Sequence, residues 1–229
     1  MKKLLFLLLL NCLLLADTLP NRISTTINSV NSDTVQVATS IPKGISGIVI
    51  HNYGNKLSAI THRLVSKGGQ QATIKPYYGL GHKNLPTIKS NVEKGDKVIF
   101  GNFYNNVLLI APDEESYSKT VKTLQRSFVH PDIYAMDLIV NDEKKISFKN
   151  LKSFAKKNQI GLVLITTDKN IMVLDPMSSK YLSSLPLTIT PKQTMSPFYA
   201  RFEQISNSIF GTNSKQKFSE YYQGVSQIK

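Results

Sequence analysis

Four histidines, His51, His62, His82 and His130, come first, because imidazole is the side chain that titrates near neutral pH and ligates metals. They stand far apart in sequence, and no H-x-x-x-H or H-E-x-x-H pair occurs, so there is no local zinc motif. Cys12 is the single cysteine, which excludes an internal disulfide framework and a cysteine-rich zinc module. Asp168 and Asp175 flank a turn signal and can meet in space, although aspartates at such places commonly serve the turn itself. Gly79-Leu80-Gly81 lacks the third glycine and the strand-turn-helix setting of a dinucleotide fingerprint. No Walker loop and no G-x-S-x-G elbow is present. Catalysis would require His62 or Asp168 in a pocket beside a second titratable group. The expectation is a protein with no catalytic residues, no metal and no cofactor.

His130-Pro131-Asp132 is the tripeptide of J-domain co-chaperones, but here it opens a helix instead of sitting in a loop between two. Proline at the first helical position followed by an acid is ordinary helix initiation. Lys plus Arg total 28 against 15 Asp plus Glu, a formal charge of +13. The lysines are scattered, and the densest group, Lys149, Lys152, Lys156 and Lys157, is the wet face of an amphipathic helix. That dispersion argues against nucleic acid as a partner. A basic exported protein can instead meet anionic lipid headgroups, lipopolysaccharide or an acidic protein, with peripheral membrane association, and the plainer reading of the excess is charge that keeps the protein in solution.

Short strands with turn signals must position the residues up to Pro112. Ile23 to Val30 and Thr34 to Thr39 flank Asn31-Ser32-Asp33, and Gly47 to Tyr53 follows. Leu57 to Ser66 and Ala72 to Pro76, separated by Lys67-Gly68-Gly69, read as a hairpin. A loop runs from Tyr77 to Asn91, then come Lys97 to Phe103 and Val107 to Ala111. Beyond Pro112 the period becomes helical: Tyr117, Val121, Leu124 and Phe128 fall on one face. Pro131 opens a second helix, and Ser147 caps a third with Phe148, Leu151 and Ala155 on one face. Ile160 to Thr166 reads as a strand buried on both sides, Ile171 to Asp175 as its hairpin partner, and Tyr181 to Ile189 as a further strand. Phe198, Phe202, Ile205 and Ile209 form a helical stripe, and a weakly helical tail runs from Lys215 to Lys229. The expected fold is α+β: a small β-barrel or sandwich over 17–112, then an α/β domain over 113–229 with a C-terminal helical tail.

Residues 1–16 read as a signal peptide. Lys2 and Lys3 precede an apolar run from Leu4 to Leu15, and Ala16 offers a cleavage site before Asp17. The run is twelve residues, short of the roughly 20 that span a bilayer as a helix. An uncleaved anchor is the alternative, and acylation of Cys12 is disfavoured by the bulky Asn11 before it. Export places the protein in the periplasm, the outer membrane or the cell surface.

In order, the chain carries Ser46-Gly47-Ile48-Val49-Ile50-His51-Asn52, Gly95-Asp96-Lys97-Val98, Leu109-Ile110-Ala111-Pro112, Tyr117 and Val129-His130-Pro131-Asp132. Lys157-Asn158-Gln159-Ile160-Gly161-Leu162, Asp175, Leu185-Pro186 and Pro197-Phe198-Tyr199 follow. This series resembles the N-terminal domain of the bacterial plasminogen-binding proteins of Helicobacter and Campylobacter type. The resemblance covers roughly Thr18 to Phe202 and implies a non-catalytic envelope protein that captures host plasminogen. It implies recognition through lysine, above all a C-terminal one. Kringle modules bind an ammonium and a carboxylate held a fixed distance apart, and Lys229 presents both. Lys215 and Lys217 are the further candidates. A flagellar-motor accessory protein also looks similar to this domain, which implies a periplasmic or outer-membrane scaffold as the alternative.

Overall fold

Alternation of buried and exposed positions organises the first half of this computed structural model, which describes residues 19–77, 90–143, 145–187, 189–191, 193–201 and 221–228. β1 (Ile23–Asn31) and β2 (Thr34–Ile41) turn at Ser32-Asp33 and send Thr25, Ile27, Val35 and Val37 to one side. β3 (Ser46–Gly54) and β4 (Leu57–Pro76) form the next hairpin. Here the sequence expectation is corrected. Residues 57–76 are one strand of 20 residues, not a hairpin broken at Gly68-Gly69. Its first half pairs with β3 and its second half with β2. Gly68 and Gly69 take φ of +100° and +62°, so the strand bends from one ladder into the next without reversing. β5 (Lys97–Phe100) pairs with both β1 and β3, and the order β1-β2-β4-β3-β5 closes into a barrel with no free edge.

The second sheet runs β10-β9-β8-β6-β7. β6 (Asn106–Ile110) pairs in parallel with β7 (Ser127–Val129) and β8 (Leu162–Thr166), so the strand expected within the β-rich part belongs to this sheet. β9 (Asn170–Asp175) and β10 (Lys180–Pro186) add antiparallel strands. α1 (Glu114–Thr123) connects β6 to β7; α2 (Pro131–Val140) and α3 (Phe148–Asn158) connect β7 to β8. The Asp113 carboxylate accepts from the Ser116 N–H at 2.7 Å and caps α1. Ser147 and Asn150 form a reciprocal capping box on α3. Phe128 leaves the expected helical stripe because α1 stops at Thr123; the side chain still packs on the same core from β7.

β6 shows why four consecutive apolar residues, Val107 to Ile110, are needed here. Val107 and Leu109 face the core shared with the barrel, and Leu108 and Ile110 face α2 and α3. β8 divides in the same way, Leu162 and Leu164 against Val163 and Ile165. The barrel interior, one sheet face and the apolar side of α1 therefore make one continuous core. The fold is mixed α+β, as the sequence implies.

Candidate functional site

Open sheets with parallel strands hold ligands outside the carboxyl ends of the strands, where successive connections diverge. In this protein that place is the crevice between β6 and β8, because the chain leaves β6 for α1 and leaves β8 for the β9 hairpin. The crevice is filled by the protein itself. Tyr221, fully buried on α4 (Tyr221–Ser226), directs its hydroxyl to the main-chain carbonyls of Ile110 and Thr166, the last residues of β6 and β8. Burial pushes its phenol pKa well up, so it stays a protonated donor. The segment before it adds two main-chain bonds, Met195 N–H to Pro112 and Tyr199 N–H to Ala111, both 2.7 Å. Arg201 clasps the Asp132 carboxylate with its main-chain N–H at 2.9 Å and with its guanidinium. Tyr117, His130 and Tyr199 cluster beside this clasp, with ring centroids 5.4 to 6.4 Å apart.

His130-Pro131-Asp132 is thereby explained as structure. His130 Nδ1 accepts the Asp132 N–H at 3.2 Å as the cap of α2, Pro131 occupies the first turn, and Asp132 receives Arg201. Burial opposes ionisation of Asp132, but the Arg201 main-chain and guanidinium bonds and the adjacent His130 outweigh it and hold the carboxyl below its usual range.

A different site opens on the barrel surface. An open cleft of about 690 Å³ is lined by His51, Asn52, Lys56, Lys94, Lys97 and Asp96, with Ile50, Ser58, Glu93 and Gly95 completing it. His51 Nδ1 and Asp96 Oδ1 are 2.7 Å apart, and the other Asp96 oxygen accepts the Glu93 N–H at 2.9 Å. His51 also meets Tyr53 edge to face at 4.7 Å. A His–Asp pair orients an imidazole, but no serine, threonine or cysteine is hydrogen-bonded to His51 among the described residues. The pair anchors the Glu93–Asp96 turn, which also bonds β1 through Ile27.

The expected residues fall in separate places. Asp168 is exposed at the hairpin, whereas Asp175 is fully buried at the far end of β9, so the two do not meet. His62 lies near Asp96 but outside the cleft lining; burial lowers its pKa, partly offset by Asp96. Lys215, Lys217 and Lys229, His82, Gly79-Leu80-Gly81 and the leader lie outside the described residues, as does the expected stripe beyond Phe198, which itself stands on irregular chain and not on a helix. No group of metal-ligating side chains comes together among the described residues. What sequence reasoning missed is Asp175 as a hub. Its carboxylate accepts Ser46 N–H at 2.8 Å, Tyr104 O–H at 2.6 Å, and the N–H groups of Met177 and Ser178 at 2.9 Å each. Burial and the adjacent carboxylate push the Tyr104 phenol far up. Nothing local in the sequence signals this, because two of the donors come from β3 and from the turn before β6.

Fold and site together define an α+β protein with a self-filled sheet crevice and a lysine-lined cleft on its barrel. The chain belongs to the family described as plasminogen-binding protein pgbA N-terminal, whose model matches residues 22–225. It is similar to two proteins named plasminogen-binding protein PgbA, from Helicobacter pylori strains J99 and 26695, at 27% and 26% identity over 167 residues. Each alignment covers 70% of this chain and 36% of the relative, so the match spans just over a third of the relatives' length. No solved structure matches the chain.

Proposed function

We propose that this chain is an exported, non-catalytic envelope protein that captures plasminogen through lysine side chains. The observation that carries the reading is the family match across residues 22–225, joined by relatives whose names state plasminogen binding. A kringle needs an ammonium to pair with its carboxylates and to lie against its aromatic floor. Lys229, Lys215 and Lys217 are the lysines we assign to that contact, with Lys229 first. Surface plasmon resonance on immobilised plasminogen tests this. Binding that a free lysine analogue competes away, and that deletion of Lys229 weakens strongly, supports the assignment. Binding unchanged by that deletion moves the contact to Lys215, Lys217 or another exposed lysine. No binding by the intact chain overturns the plasminogen reading. Protease shaving of intact cells tests export to the surface.

A further inference from the structure

The cleft on the barrel gathers lysines other than those assigned to plasminogen. Lys56, Lys94 and Lys97 line it and pair with no carboxylate among the described residues. Two acids share the lining, Glu93 and Asp96, the latter bound to His51 and to the Glu93 N–H, so three ammonium groups stand against two carboxylates. The cleft therefore carries a net positive charge that its own walls do not neutralise.

Its rim is apolar. Register places Lys97 of β5, Ile50 of β3 and Ile60 of β4 side by side on one face, with Asn52 and Ser58 as the next pair toward the hairpin tip. Ile50, Asn52, Ser58 and Lys97 line the cleft, so Ile60, 40% exposed, stands at its edge. Leu57 is 59% exposed at the tip, next to Lys56, and Tyr53 is 37% exposed across the same turn. A lone exposed leucine means little. Leucine, isoleucine and tyrosine of one hairpin, beside lysines that pair with no carboxylate among the described residues, match an interfacial surface, where apolar side chains enter the acyl boundary and ammonium groups meet headgroups. Among the described residues no helix is long and apolar enough to cross a membrane.

We propose that the β3–β4 end of the barrel docks on an anionic lipid surface, with a headgroup phosphate in the cleft of Lys56, Lys94 and Lys97 and with Leu57 and Ile60 in the interface. Charge complementarity selects anionic over zwitterionic lipid, and the apolar rim selects a membrane over a soluble phosphate ester.

The test uses the chain from Asp17 onward, which contains every described residue and omits the apolar run that would itself partition into lipid. Cosedimentation is measured with vesicles of phosphatidylcholine alone and of phosphatidylcholine with an equal part of phosphatidylglycerol. Binding to the anionic vesicles only is expected. The triple variant Lys56→Glu, Lys94→Glu, Lys97→Glu should lose at least about a hundredfold in partitioning, since each lysine near an anionic surface contributes roughly fivefold and each glutamate adds repulsion. Leu57→Ser should lose about tenfold, the scale of one leucine leaving an apolar environment. A charge-matched control, Lys67→Glu, Lys156→Glu, Lys169→Glu, should stay within a few fold. Circular dichroism confirms that each variant is folded. Three outcomes overturn the proposal: no preference of the intact chain for anionic vesicles; equal losses in the two triple variants, which would mean net charge alone; or an unchanged Leu57→Ser together with full competition by glycerol phosphate, which would mean a soluble phosphate site.

Discussion

At the scale of single residues, Asp175 carries more of the architecture than any histidine does. Four donors from three parts of the chain converge on a carboxylate with no solvent exposure. Asp175→Asn would set an amide N–H₂ against at least one of these donors. The expected loss is about 3 kcal/mol, with roughly half of that for Tyr104→Phe, which removes one donor and leaves the carboxylate otherwise satisfied. Urea denaturation followed by far-UV circular dichroism measures both, a suitable probe because the chain has no tryptophan. A smaller loss for Asp175→Asn than for Tyr104→Phe would contradict the hub assignment. His62 gives a pH signature. Burial holds its imidazole below the ordinary value of 6.5, partly offset by Asp96, so the unfolded chain takes up a proton before the native chain does. Its contribution is complete above about pH 6.5 and erodes as pH falls through that value. Thermal midpoints recorded from about pH 8 down to about pH 5 should therefore fall in the native chain and fall less in His62→Gln. Asp132 acts lower on the scale: its depressed carboxyl keeps the Arg201 clasp through the ordinary aspartate range near 3.9, and loses it only as pH drops through the lowered value.

At the scale of elements, the sequence discloses whatever is encoded by neighbours. Ser147 with Phe148, Leu151 and Ala155 specifies α3, since a cap and a 3.6-residue stripe are local patterns. The nearly all-apolar run from Ile160 to Thr166 specifies a strand buried on both faces. The hairpin expected at Gly68-Gly69 fails for a physical reason. Positive φ permits a reversal and a bend equally, and the choice depends on β2 being available as a second partner for β4. Barrel closure depends likewise on β1 meeting β5, about 70 residues away in sequence, and no local pattern records that pairing. The cleft was legible only as Lys94-Gly95-Asp96, a turn, until register placed Lys97 beside Ile50. Gly161 shows how closely β8 and the turn before β6 approach. A Cβ there would lie 2.2 Å from the Phe103 carbonyl carbon and oxygen, both main-chain atoms that cannot swing aside. Gly161→Ala should cost about 3 kcal/mol or more by forcing those two segments apart, and Gly95→Ala, with open space around its Cβ, should cost less despite a φ of +95°. Equal unfolding midpoints for the two variants would refute the steric account.

At the scale of the whole molecule, the second sheet is shared between two cores, and the C-terminal segment seals the crevice that the sheet would otherwise present to solvent. Tyr221, Val225 and Ile228, all buried on or beside α4, join the core formed by α2, α3 and one face of β6 and β8. Phe198 stacks on Tyr134 at 5.4 Å in the same core, and Tyr134 reaches Asn150 through its hydroxyl at 2.7 Å, tying the seal to the α3 cap. The seal therefore belongs to the fold rather than decorating it. Deleting residues 221–229 removes three buried apolar side chains, each worth roughly 1.5–3 kcal/mol when fully buried, and leaves the Ile110 and Thr166 carbonyls without the phenol. The truncated chain should unfold at a clearly lower temperature and bind a hydrophobic dye before unfolding, because the crevice between β6 and β8 is then open. Tyr221→Phe separates the two contributions. It keeps the ring and the seal, loses one donor, and should cost about 1–2 kcal/mol with no gain in dye binding. Dye binding by Tyr221→Phe equal to that of the truncation would place the sealing force in the hydroxyl. A truncation with an unchanged midpoint would show that α4 contributes nothing to the core.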